Sequence, residues 1–364
     1  MASYSFEHVA IRALATAVPD HVKTFDQSSP KVQRFVKQIG IEQVHISVSE
    51  QTPVDLGYVA LNEALAQAGW DASCLDLVVF DTQTPDYMGG VGDGSFLHHY
   101  LDLREDCAVF DLSVGCAAFP YALSVACAQL SVASSIKRVA VVMGDSQWIY
   151  FANAEAIAQK KTMLVGEGVG VILLERVASE VPPIKIELYA QGHGYKSLSF
   201  HHGIKNAWRR ADAYEMPDGG EMYLQGASCG TYMDGSDISD FAKVKICAEI
   251  KAHCAPTFAS DFDYYVFHQA NQSILDEIAA NLGLDPSKVP SSLQHFGNTY
   301  CASAILTMCD QLCGKQGPLH IFNASYGVGL AWGFTDLVIP AEVICPIVAT
   351  AHRFDEHFLK PLED

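Results

Sequence analysis

The chain has 364 residues and a formal net charge of −19, from 23 Lys and Arg against 42 Asp and Glu, with 49% hydrophobic and 18% charged residues. That apolar content supports a large buried core and excludes intrinsic disorder. The acidic field repels phosphate backbones and anionic membranes, so neither nucleic acid nor a membrane is an expected partner.

Short apolar runs rich in β-formers alternate with helical stretches. Strands are predicted at residues 77–80, 107–110, 139–143, 169–174, 264–267 and 320–323, and helices at 56–68, 118–131 and 272–282. Strands that are continuously apolar suit a sheet covered on both faces, so the fold class is α/β. The run Asp76 to Asp81 resembles Asp263 to His268, and Gly166-Glu167-Gly168-Val169-Gly170 resembles Tyr326-Gly327-Val328-Gly329, in the same order. That order indicates a duplication, with halves at residues 1–178 and 179–364 divided near Pro182-Pro183. Residues 195–240 read as a polar surface excursion. Residues 1–8 lack a basic segment and an apolar one, and no run of 18 apolar residues occurs, so neither a signal peptide nor a transmembrane helix is predicted. The 11 cysteines contain no Cys-x-x-Cys pair and no zinc spacing, which fits a reducing cytoplasm without a metal.

Four segments carry residues capable of chemistry. In Asp111-Leu112-Ser113-Val114-Gly115-Cys116-Ala117-Ala118-Phe119-Pro120, a strand turns into a helix. Pro120 fits only the first helical turn, so Cys116 sits at or just before a helix N-terminus, where the dipole favours the thiolate. Cys116 reads as a nucleophile or as a small buried core residue. In Phe267-His268-Gln269-Ala270-Asn271, His268 closes an apolar strand and serves as acid, base or donor, or as a structural residue. Gly297-Asn298-Thr299 reads as a turn opening a helix to Leu312, and Ser325-Tyr326-Gly327-Val328-Gly329 as a glycine loop or a tight bend.

Taken together, a Cys, a His, an Asn and a glycine loop, each at a strand end, resemble the thiolase superfamily, and within it β-ketoacyl-acyl-carrier-protein synthase III. Gly115-Cys116-Ala117-Ala118-Phe119, the intact His-Gln-Ala-Asn at 268–271, Gly297-Asn298-Thr299, Gly327 to Gly333 with Trp332, Ile39 to Ile46, and Met233-Asp234-Gly235 with Phe241 carry the resemblance over residues 5–340. It implies an αβαβα sandwich of two five-stranded sheets, formed as a homodimer, with no metal or other cofactor. It further implies that Cys116 takes an acyl group from a coenzyme A or carrier-protein thioester. His268 and Asn298 would stabilise the enolate of a malonyl thioester, and the N–H groups of Cys116 and Val328 would form the oxyanion hole.

The family's cations are absent at Gln38, Ala242, Ser273, Ala280 and Asn281, and its tunnel-mouth Trp is missing from residues 32–35. Specialised fatty-acid or polyketide metabolism is therefore expected. The segment Lys205-Asn206-Ala207-Trp208-Arg209-Arg210 reads as a solvated loop or as a substitute docking surface, and acyl length as set near Tyr87, Met88 and Phe96. Two alternatives share the motifs: an acyltransferase to an alcohol or amine, with His268 as base, and a non-catalytic partner subunit. The extension beyond the last core strand, through Phe358 and Leu359, has no assigned role at this level.

Overall fold

The computed structural model describes residues 2–25, 27–47, 51–86, 91–146, 164–201, 214–215, 221–222, 230–254 and 257–355. The strands of the two main sheets are β1 (Ala2–Phe6), β2 (Val9–Pro19), β3 (Leu77–Asp81), β4 (Ala108–Leu112), β5 (Arg138–Asp145), β6 (Gly168–Arg176), β7 (Ile184–Ala190), β8 (Tyr264–Phe267), β9 (Pro318–Gly327), β10 (Ala331–Pro340) and β11 (Val348–Thr350). The helices that matter here are α1 (Pro30–Ile39), α2 (Pro53–Ala68), α3 (Asp93–Tyr100), α4 (Ala118–Val132), α5 (Cys247–His253), α6 (Gln272–Leu282) and α7 (Ser303–Leu312).

One sheet runs β11-β2-β6-β5-β3-β4 and the other β1-β7-β10-β9-β8. The stretch β2-β6-β5-β3 matches β7-β10-β9-β8 in order and in direction: two antiparallel pairings followed by a parallel one. Successive strand residues face opposite layers. Leu77 and Val79 point into a core built by α4 and α7, and Val78 and Phe80 into a second core under α2 and α3. From the other sheet, Val266 joins the α4 and α7 core while Tyr265 and Phe267 pack outward with α5 and α6. The layers are thus α, β, α, β, α, as the resemblance implied.

Because α4 is enclosed by two sheets, it is apolar all round. The stretch Gly115–Val132 would be long and apolar enough to cross a membrane by composition, but 67% of it is buried inside the molecule, and the sandwich accounts for it.

The first sheet has six strands, not the five expected. The extra one is β11, which pairs in parallel with β2 through Val348 and Ala17, Ala349 and Val18, and Thr350 and Pro19. The chain then runs on as a strap. The side chain of Gln51 donates to Thr350 O at 3.0 Å and His352 O at 2.8 Å, and Phe354 N–H donates to Asp55 Oδ1 at 2.8 Å. The Phe354 ring packs on Tyr100, Tyr58 and His352. This places part of the extension that the sequence left without a role, while Phe358 and Leu359 lie outside the described residues. Replacing the half-buried Phe354 by alanine removes that aromatic contact and should cost about 1–3 kcal/mol; denaturant unfolding measures it, and an unchanged midpoint would show that the strap adds nothing.

Candidate active site

A single-turn 3-10 helix, Gly115–Ala117, links β4 to α4 and holds Cys116 immediately before the helix, as the position of Pro120 required. Gly115 has φ 71°, and a side chain there would collide with Val328 and stand 2.8 Å from Gln83 Oε1, so only glycine fits. The loop after β9 closes on the same turn: a Cβ on Gly327 would lie 2.6 Å from Cys116 Cβ and 3.3 Å from its Sγ. Gly327→Ala should therefore displace the thiol and slow alkylation of Cys116 by iodoacetamide tenfold or more, with the fold retained. Intact-protein mass spectrometry against time reads this, and wild-type rates would refute the close packing.

His268 follows β8 and is buried. The other polar residues of its motif fix the backbone around it. Gln269 donates to Phe267 O at 2.8 Å and accepts from Ser292 N–H at 3.1 Å, and Asn271 Oδ1 caps α6 by accepting from Ile274 N–H at 3.0 Å. His268 Nδ1 lies 2.9 Å from Ser303 Oγ, and its ring meets the edge of Tyr326, one residue before Gly327. Asn298 Oδ1 accepts from Tyr300 N–H at 2.9 Å, and its backbone is held by Leu164 O and Gly166 N–H. The helix expected from this segment begins with a 3-10 turn, Tyr300–Ala302, before α7. Cys301 on that turn lies 3.3 Å from Gly115 O. A continuous set of contacts therefore joins Cys116, Gly327, Tyr326, His268, Ser303 and the Asn298 turn.

Burial decides the charge states. It lowers the pKa of His268 from 6.5 to about 4, so the imidazole is neutral at pH 7. Burial, and then the carboxylates of Asp145 and Asp81, push the Cys116 thiol well above its ordinary value. The thiolate expected from the helix N-terminus is thus not the resting form: desolvation outweighs the dipole.

Several groups escaped the sequence reading. Tyr300 adopts a left-handed backbone, φ 47°, uncommon for a bulky residue, and its phenol is held neutral by burial and by the neighbouring Cys116, Asp145 and Glu167. Asp81, Asp86 and Asp93 are acids raised to about 7, about 7 and about 8, chiefly by burial. Asp81 ends β3, Asp86 follows it in a loop and Asp93 opens α3, and nothing in the local sequence marks their burial.

Of the positions without the family's cations, Gln38, Ala280 and Asn281 are exposed and Ser273 is half-buried, but Ala242 is buried in the core. The neighbouring Lys243 is half-buried and pairs with Glu277 at 2.7 Å. The cluster at residues 205–210 and Tyr87 and Met88 lie outside the described residues, while Phe96 is on α3 and half-buried. Among the described residues, no cluster of His, Cys, Asp and Glu has the form of a metal site.

Residues 110–192 match the family model of 3-oxoacyl-[acyl-carrier-protein] synthase III, and residues 255–338 match its C-terminal model. A β-ketoacyl-[acyl-carrier-protein] synthase III of Thermosynechococcus vestitus is 30% identical over 303 residues, covering 81% of this chain and 86% of that protein. One from Streptococcus pneumoniae is 30% identical over 311 residues, covering 82% and 88%. Among solved structures, a 3-oxoacyl-(acyl-carrier protein) synthase of Burkholderia xenovorans superposes with a TM-score of 0.81 at 24% identity, covering 96% of this chain and 99% of that one. With 30% identity to a curated synthase across most of both chains, and both family models matched around Cys116 and His268, this chain belongs to the β-ketoacyl-acyl-carrier-protein synthase III family.

Proposed function

We propose that the chain is an acyl-thioester condensing enzyme working through Cys116, His268 and Asn298, in specialised fatty-acid or polyketide metabolism. Cys116 Sγ attacks the donor thioester carbonyl. The bond from Sγ to the acyl carbon forms, the donor carbon–sulfur bond breaks, and the donor thiol leaves with the proton that Cys116 gives up. The N–H groups of Cys116 and Val328 receive the oxyanion. A malonyl thioester then loses CO₂, its carbonyl oxygen taking the enolate charge under hydrogen bonds from His268 and Asn298. The enolate carbon attacks the acyl-Cys116 carbonyl, the new carbon–carbon bond forms, and Sγ departs and regains a proton. No metal or redox group takes part.

The observation that carries this reading is the state of the two donors. With Ser303 Oγ donating to Nδ1, a neutral His268 keeps its Nε2–H for a carbonyl oxygen, and Asn298 with Oδ1 held by Tyr300 N–H keeps its Nδ2–H groups. The same observation weighs against an acyltransferase to an alcohol or amine, because a histidine with a pKa of about 4 is a weak base. The complete Cys, His and Asn set weighs against a non-catalytic subunit. The test is mass spectrometry of Cys116 after incubation with coenzyme A and carrier-protein acyl donors, followed by measurement of CO₂ when a malonyl thioester is added. Product formed without CO₂ loss overturns the condensation, and an unmodified Cys116 with every donor turns the reading toward the partner subunit.

The assembly is read as a homodimer. Among the described residues, half-exposed Ala108–Leu112 is the outermost strand of its sheet, and an edge strand favours pairing with a second copy. The chain is read as two duplicated halves, 1–178 and 179–364, supported by the matched strand orders. A cytoplasmic location is supported by the ten described cysteines, all of them free.

A further inference from the structure

The turn that carries Cys116 has two sides. One faces Gly327 and leads through Tyr326 to His268, the side an incoming enolate needs. The other faces Gln83, Asp81 and Cys301. Gln83 Nε2 donates to Asp145 Oδ2 at 3.3 Å and lies 3.7 Å from Cys301 Sγ. That fixes which way the amide points, because the reverse orientation would set its oxygen against a carboxylate. Gln83 Oε1 is consequently directed at the Gly115–Cys116 turn, and it is buried with no hydrogen-bond partner. Asp81 lies beside it: its Oδ1 is 3.4 Å from Val114 N and 3.7 Å from Cys301 Sγ, and its Oδ2 is buried without a partner. An unsatisfied Gln83 Oε1 thus lies against the nucleophile turn, and the Asp81 carboxyl beside it has a second unsatisfied oxygen. Leaving such atoms unpaired is costly, so a bound group that pairs with them is favoured over an apolar one.

We propose that Gln83 and Asp81 select the acyl group, and that the acyl group carried by Cys116 bears a hydroxyl within a few bonds of its thioester carbonyl. The hydroxyl donates to Gln83 Oε1 and pairs with the Asp81 carboxyl beside it. A plain alkyl chain leaves both oxygens unpaired and is discriminated against, because a site built to hydrogen-bond a hydroxyl rejects the analogue lacking it. The proposal rests on the reading that Cys116 carries the acyl group.

The experiment compares butyryl, 2-hydroxybutyryl and 3-hydroxybutyryl thioesters of N-acetylcysteamine, which need no carrier or nucleotide contact, by the rate of mass gain on Cys116 with Cys116→Ala as control. One of the hydroxylated donors is expected to acylate at least tenfold faster than butyryl, and that ratio is expected to collapse in Gln83→Leu. Equal rates for all three donors in the wild-type protein overturn the selection while leaving the acyl-enzyme reading intact, and so does a ratio that survives in a folded Gln83→Leu. If Gln83→Leu does not fold, Gln83→Met takes its place under the same criteria. No adduct from any donor overturns the acyl-enzyme reading, and the selection with it.

Discussion

Alanine in place of His268 or Asn298 should lower CO₂ release from a malonyl thioester about a hundredfold to a thousandfold, the usual loss when one donor to a developing oxyanion is removed. Acyl-Cys116 should still accumulate in both variants, because neither side chain is needed for the first bond. The pH dependence sharpens the expectation. Burial holds the imidazole neutral down to about pH 4, against an ordinary value of 6.5. The decarboxylation rate should therefore show no histidine limb between about pH 5.5 and 8. A limb near 6.5 that disappears in His268→Ala would mean that the imidazole is exchanging protons with solvent and acting as a base. The same group makes the fold acid-sensitive: a depressed folded value contributes stability that is present above 6.5 and lost as pH falls toward 4.

Asp81→Asn should stabilise the protein progressively as pH rises. The carboxyl of Asp81 is buried beside the Cys116 turn, and desolvation lifts its pKa from 3.8 to about 7, with Asp145 adding repulsion. The folded state thus holds a proton that the unfolded chain gives up near pH 4. Stability from this group is complete below about 4 and is lost as pH climbs through 7, a difference of about 4 kcal/mol at most. Asparagine has nearly the same shape and does not titrate. Denaturant unfolding at pH 5, 6, 7 and 8 should give a gap between variant and wild type that opens with pH. Parallel curves would show that Asp81 is already ionised in the folded protein. Asp86 and Asp93, also lifted by burial, tilt the wild-type curve the same way.

Much of the site was legible because its residues sit where strands end. The run Tyr264–Phe267 is a clean apolar strand, so His268 could be placed at its tip, and Pro120 confines Cys116 to the turn before a helix. The layered α/β fold was legible for the same reason: strands such as Leu77–Asp81 are buried on both faces and read as unbroken apolar runs. Charge state was not legible. The neutrality of Cys116 and His268 comes from the sheets closing around them, and residues distant in sequence supply that burial. Nor was the orientation of Gln83, which depends on Asp145 more than sixty residues away. Nor was it legible that Ala242 faces the core, because counting from Phe241 cannot tell which side of a helix is buried.

Each sheet is completed by a strand from the far end of the sequence. Residues 2–6 pair with Ile184–Ala190 in the second sheet, and residues 348–350 pair with Val9–Pro19 in the first. The two halves are therefore cross-laced, and cutting near residue 178 would not yield two self-sufficient modules. A fragment of residues 1–178 would carry one strand with no sheet to join and would leave the edge of Val9–Pro19 bare. Its complement would have the opposite defect. The exchange of terminal strands adds to the core that both sheets share with α4 and α7 in tying the fold into one cooperative unit.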